Sequence, residues 1–209
     1  MAPQYQDDSI TIHKIKCGPY DNNAYLLVCP ETNQSILIDT PQDPGALIEA
    51  AKQTDVQAIL ITHNHGDHLA GFSEVTSAIG ASVGIGDADA HALSSPPAML
   101  LREGDEIKAG TLTLKAIATP GHTPGHQSFL IESDGEKGIV TGDVIHSRTQ
   151  YTNPDWCAGA DMDKPTAVAT RKAMIERIVS ENLTVASSHL VVDSNIGHVV
   201  EIENRVKCD

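Results

Sequence analysis

Four short aliphatic runs in this 209-residue chain each stop within four residues of a histidine or an aspartate. Ala58–Thr62 ends directly before His63, and Thr111–Ala118 ends before Thr119-Pro-Gly-His122. Gly138–Thr141 ends two residues before Asp143, and Leu183–Ser187 two before His189. Short aliphatic runs bounded by polar or turn residues read as buried strands. Neighbouring strands with this pattern bring their loops to one sheet edge, which is where sites in open sheets form.

The rest of the chain reads as more strands with helices between them. Ser35–Asp39, Tyr25–Val28 and Gln127–Ile131 are further strands. Thr111–Ala118 alternates, placing Leu112, Leu114, Ala116 and Ala118 on one covered face. Asp43 is placed to cap a helix with Pro44 at its first position and Leu47, Ile48 and Ala51 as its stripe. Pro165 opens a longer helix on which Val168, Arg171, Met174, Ile175, Ile178 and Val179 share a face, with Asn182 as its stop. The mixture predicts an α/β or α+β layered fold. With 40% hydrophobic residues and no linker, repeat or low-complexity tract, residues 1–209 read as one domain.

Composition narrows the partners. Lys plus Arg number 14 against 28 Asp plus Glu, a formal charge of −14. Such a chain is repelled by phosphate backbones and anionic membrane surfaces, so nucleic acid is not an expected partner. No apolar run approaches the roughly 18 residues of a membrane span. Met1–Asp8 has no basic region or apolar run and reads as no signal peptide. Cys17, Cys29, Cys157 and Cys208 match no zinc-finger or CxxC spacing and read as reduced thiols in a cytoplasmic protein. The expected partner is a small-molecule substrate.

The chemistry concentrates in Thr62-His-Asn-His-Gly-Asp-His-Leu-Ala-Gly71. Neutral imidazoles and carboxylates are metal donors. No single regular element aims these four side chains at one point, but a loop can, and Gly66 offers it φ freedom. His63 and His65, two apart, can chelate one ion, while Asp67 and His68 reach a second. In Ala118–His126, two Pro-Gly steps form a turn that holds His122 as a ligand, with His126 as support behind it. Asp143 alone would read as a turn cap and His189 as a core histidine; the company they keep makes both ligands.

Together, His63, His65, Asp67, His68, His122, Asp143 and His189 resemble the signature of the metallo-β-lactamase superfamily, over nearly the whole chain from Asn22-Asn-Ala-Tyr-Leu-Leu27 onward. The resemblance implies a four-layer αββα sandwich with a dinuclear site at one edge. It places His63, His65 and His122 on the first ion, Asp67, His68 and His189 on the second, and Asp143 between them. The implied cofactors are two divalent metal ions, zinc first, with manganese or iron as alternatives. The implied reaction is hydrolysis by a metal-bound hydroxide without a covalent enzyme intermediate, with Asp67, Asp143 and His146 as the catalytic residues. His146 either touches substrate, orients a ligand, or makes only a local hydrogen bond.

Fold does not settle substrate. Gly142-Asp-Val-Ile-His146, Asn153-Pro-Asp155, Arg171-Lys172, Ser188-His-Leu190 and Ile196-Gly-His-Val199 resemble the methyl parathion hydrolase group, which includes lactonases and arylesterases. A bridging Asp143 also resembles lactone and ester hydrolases more than true β-lactamases. Opening of a lactone or cleavage of an ester-like bond is therefore the leading expectation, with a homodimer as in related lactonases. The alternatives are a mononuclear iron persulfide-dioxygenase-like enzyme and a β-lactam, phosphotriester or thioester hydrolase. About twenty residues follow His189, which argues against the glutathione-binding region of a hydroxyacylglutathione hydrolase. At 3% aromatics, an aryl phosphotriester site is disfavoured. Trp156 is read as a pocket wall or a core residue, and His198, which follows Gly197 and could cap a helix, is left unassigned.

Overall fold

A computed structural model of the chain describes residues 3–19, 22–190, 196–202 and 205–208. The first seven strands, β1 (Tyr5–Gln6), β2 (Thr11–Cys17), β3 (Asn22–Val28), β4 (Gln34–Ile38), β5 (Asp55–Ile61), β6 (Ser82–Gly86) and β7 (Met99–Leu101), lie side by side in sequence order in one sheet. β1 to β4 pair antiparallel and β4 to β7 parallel. The second sheet holds β8 (Glu106–Ala109), β9 (Leu112–Ala118), β10 (Gln127–Ser133), β11 (Glu136–Val140), β12 (Thr184–Ala186), β13 (Ile196–Ile202) and β14 (Arg205–Cys208), again in order. Only β11 and β12 run parallel there. The helices are α1 (Gly45–Ala51), α2 (Gly66–Leu69), α3 (Phe72–Ile79), α4 (Thr149–Thr152) and α5 (Lys164–Ser180).

Three apolar clusters fill the spaces between four layers. Tyr25, Leu27, Ile36 and Leu60 of the first sheet meet Leu112, Leu114, Phe129 and Val140 of the second. The outer face of the first sheet packs Leu26, Leu37 and Ile59 on Leu47 and Ile48 of α1 and on Phe72 and Val75 of α3. The outer face of the second packs Ile117, Leu130 and Ile139 on Met174, Ile175 and Ile178 of α5. This is the expected αββα sandwich. Because both sheets are covered on both faces, their central strands are near-continuous apolar runs, as in Ala58–Ile61.

Local details differ from the expectations in three places. Asp43 does not cap α1: its backbone is left-handed (φ 56°), Pro44 occupies the cap position, and no side chain bonds the helix start. Ala118 is exposed while Ile117 is buried, because β9 is covered on both faces before its last residue leaves the sandwich. His198 caps no helix; it lies on β13 opposite Thr184. The long helix does begin beside Pro165, with Asp163 accepting a hydrogen bond from the Thr166 N–H, and it stops at Asn182, whose φ of 50° ends it as read.

β9, β11 and β12 point the same way, so their C-terminal ends share one edge with the start of β10. β5 of the other sheet ends against that edge, where the Gln127 N–H donates to the Thr62 carbonyl at 2.8 Å. The four histidine- and aspartate-bearing loops therefore meet across two sheets rather than along one.

Candidate metal centre

The loop after β5 turns into α2 immediately. His65 is extended (φ −70°, ψ 146°) and Gly66 starts the helix. Gly66 does not use a left-handed conformation, contrary to expectation; the change of direction comes from the strand-to-helix switch at His65. One turn of α2 then carries Asp67 and His68 past the pair His63 and His65.

Five histidines converge on one carboxylate. The Nε2 atoms of His63, His68, His122, His146 and His189 lie 3.8, 3.5, 3.3, 3.3 and 3.0 Å from Asp143 oxygens. The donor atoms group as His63, His65 and His122; as His63, His68 and Asp143; as Asp67, His68 and His189; and as His122, Asp143 and His146, each set within 4.8 Å. All seven expected ligands are thus brought together, and His146 joins them, its ring stacked on His189 at 5.7 Å.

Hydrogen bonds on the far side of three rings fix their tautomers. His68 Nδ1–H donates to Asp39 Oδ2, and His122 Nδ1–H to Asp161 Oδ1, both at 2.9 Å. Thr62 gives its hydroxyl proton to Asp39, which leaves its oxygen to accept from His63 Nδ1–H at 3.0 Å. Each ring therefore turns its Nε2 toward Asp143. Behind them, His126 Nε2 accepts the Asp143 N–H at 3.0 Å and its Nδ1 meets Thr119, which is the supporting role expected of it. Gly142 is left-handed (φ +54°), and a Cβ there would stand 2.6 Å from His126 Nε2. Gly142→Ala is expected to cost about 1–3 kcal/mol, read as a lower urea midpoint; an unchanged midpoint would show that His126 can yield.

The electrostatics ask for a cation. Burial pushes His63 and His126 well below the ordinary imidazole range, helped by His68 and His122 respectively. Burial also opposes charge on His68, yet Asp143 and Asp39 outweigh it and hold that ring well above its usual value. Burial raises Asp143, and His68 and His63 overcome it to hold the carboxyl well below the usual range. Even so, His63 Nε2, His122 Nε2 and Asp143 Oδ1 are buried without a hydrogen-bond partner. Orphaned buried donor atoms aimed at one point are what a divalent ion satisfies. The residues present fit such ions.

A profile of the metallo-beta-lactamase superfamily matches residues 17–189, most of the chain and all seven converging ligands. The chain belongs to the metallo-beta-lactamase superfamily. Hydroxyacylglutathione hydrolase of Cereibacter sphaeroides is 39% identical over 112 residues, covering 52% of this chain and 43% of that enzyme. Hydroxyacylglutathione hydrolase of Fuscovulum blasticum is 31% identical over 187 residues, covering 88% and 68%. The BLEG-1 B3 metallo-beta-lactamase superposes with a TM-score of 0.69 at 25% identity, covering 86% of this chain and 91% of that one. This superfamily member spans about half the length of most curated relatives it matches.

Asp161 and Asp89 carry no motif signal and join the centre only in three dimensions, while Asn22 opens the segment Asn22–Leu27 noted in the sequence without a role. Asp161 joins the His122 ring to Arg171, Asn22 donates to Asp67 Oδ2 at 3.0 Å, and Asp89 bonds two ligand loops. Asp39 did have a signal: it ends the run Ser35–Asp39 just as His63 and Asp143 follow theirs. Trp156 is 60% exposed, so it is no core residue.

Proposed function

We propose that the chain is a dinuclear metal-dependent hydrolase that opens a lactone or cleaves an ester-like bond, thioesters included. One observation carries this reading: two triads of donors, His63-His65-His122 and Asp67-His68-His189, flank the single buried Asp143. Nitrogen and oxygen donors without a thiolate suit zinc, and also manganese or iron. Bound ions of this kind supply Lewis acidity and make hydroxide available near neutral pH.

The chain's own groups do the rest. Asp143 and Asp67 offset the positive charge, and Asp143 spans both triads. Asp67 is the more open carboxylate, with 27% of its side chain exposed, and Asn22 holds its Oδ2. It is placed to take a proton from the attacking water and pass it to solvent. His146 is 20% exposed at the rim, and its Nε2 lies on the Asp143 side. It is placed to hold a proton for the departing oxygen or sulfur. A small cleft lined by Cys17, Asn22, Gln42, Gly66 and Asp67 opens beside Asp67. Among the described residues, no helix is long and apolar enough to cross a membrane.

The test is turnover by protein whose metal content has been counted. Proton release from a homoserine lactone and a δ-lactone is set beside thiol release from a hydroxyacyl glutathione thioester. Cleavage that a chelator abolishes and Zn²⁺ or Mn²⁺ restores is the expected outcome, and the better substrate names the branch. The curated relatives favour the thioester as the second reading. No cleavage of any of them by protein holding two ions would sink the proposal. Oxygen uptake with glutathione persulfide by protein holding one iron would replace it with a dioxygenase.

A further inference from the structure

We propose that Asp89 is a positioning residue that clamps together the two loops carrying His63, His65 and His122, and so sets the affinity of that triad for its ion. The proposal rests on the metal-dependent reading above. Asp89 lies in the short 3₁₀ turn Asp87–Ala92 that follows β6, away from every motif in the sequence.

Its side chain is fully buried and accepts three hydrogen bonds. The Asn64 N–H reaches Oδ2 at 3.1 Å, and Asn64 is the residue between His63 and His65. The Thr123 hydroxyl reaches the same oxygen at 2.5 Å, one residue after His122. The Gly125 N–H reaches Oδ1 at 2.9 Å. The first donor belongs to the loop after β5 in one sheet, and the other two to the loop between β9 and β10 in the other. Asp143 also faces both loops, but through the ligand rings themselves, whereas Asp89 bonds the residues beside those ligands.

The approach is built in. A Cβ on Gly125 would come within 2.6 Å of the Asp89 backbone nitrogen and 2.8 Å of Oδ1, so a larger residue would push the carboxylate away. A triad whose members come from two loops binds an ion only when the loops are held in register. A ligand displaced by a fraction of an ångström loses its donor geometry, and partners that orient ligands commonly change metal affinity about 10–100-fold. Water cannot replace these bonds in a fully buried position, so they act on the backbone directly.

The variants remove the clamp in steps. Thr123→Val deletes one donor and leaves the carboxylate. Asp89→Asn can keep its oxygen at the Asn64 and Thr123 side only by turning its amide toward the Gly125 N–H, breaking that bond. Metal-free wild type and variants are titrated with Co²⁺, followed by visible absorption, with urea midpoints measured on the same metal-free samples. The expected result is that one ion binds about tenfold more weakly in Thr123→Val and further beyond that in Asp89→Asn, with an altered absorption band. If both variants bind every ion within twofold of wild type, the proposal is overturned, and a lower urea midpoint alone leaves Asp89 merely structural. If Asp89→Asn does not fold, Thr123→Val decides by the same criterion. A wild type that takes up one ion refutes the dinuclear reading alone, and Asp89 is still judged on that ion; a wild type that takes up none overturns both.

Discussion

Replacing Asp143 by alanine is expected to lower the proposed hydrolytic turnover by at least about a thousandfold and to leave the folded protein short of the proposed ions. The carboxylate is 2% exposed and faces the Nε2 atoms of five histidines. Its removal takes away the donor that lies between the two triads and would leave two ions, bound as proposed, without an anion between them. Lewis-acid stabilisation is worth several kcal/mol, and about 4 kcal/mol is a factor of about a thousand in rate. Asp143→Asn separates charge from shape, because an amide keeps the volume but not the negative charge. Turnover and metal content measured together decide: a full rate from metal-replete Asp143→Ala would remove the bridging carboxylate from the mechanism. Retained ions with lost turnover would make its role chemical rather than structural.

Replacing Arg171 by methionine destabilises the protein by about 3–5 kcal/mol. Arg171 sits fully buried on the inner face of α5. Its Nε donates to the Val144 carbonyl at 2.8 Å, and its Nη1 to the Pro154 and Trp156 carbonyls at 2.9 Å. Its Nη2 pairs with Asp161 at 3.2 Å. Methionine fills much of the volume but strips the guanidinium from three carbonyls and from Asp161, which keeps only His122 and the Ala158 N–H against its buried charge, and that is costlier than losing the attraction itself. The effect should reach the metal too, since Val144 follows Asp143 and Asp161 orients His122. Urea denaturation measures the loss, and a change under about 1 kcal/mol would show that water enters and replaces the guanidinium.

The sequence is legible here where period, turn chemistry and donor type coincide. Ala58–Thr62 and Gly138–Thr141 are aliphatic enough to read as strands, and each is followed by a donor that only a loop could aim. β6 escaped notice because Ser82-Val-Gly-Ile-Gly86 breaks its run with glycines, and Asp89 went with it. Asp161 lies in an irregular stretch whose path depends on Arg171, a contact across ten residues that no local pattern reports. His146 is legible only as a histidine three residues past Asp143, and the fold adds that its ring stacks on His189. The Asp43 cap failed because a left-handed backbone there serves the turn rather than the helix.

The order of strands has one more consequence. Residues up to Leu101 build one entire sheet with α1 and α3, and residues from Glu106 onward build the other with α5. Each half of the chain can therefore assemble from sequence neighbours, with little loop closure to pay for. The donors are divided the same way: His63, His65, Asp67 and His68 belong to the first half, and His122, Asp143 and His189 to the second. Neither half alone holds a complete set, so ions bound as proposed would act as a latch that engages only after the two halves have docked. Whatever free energy the ions bring is stored in that docking step, and the seam between the two sheets is where losing them will be felt first.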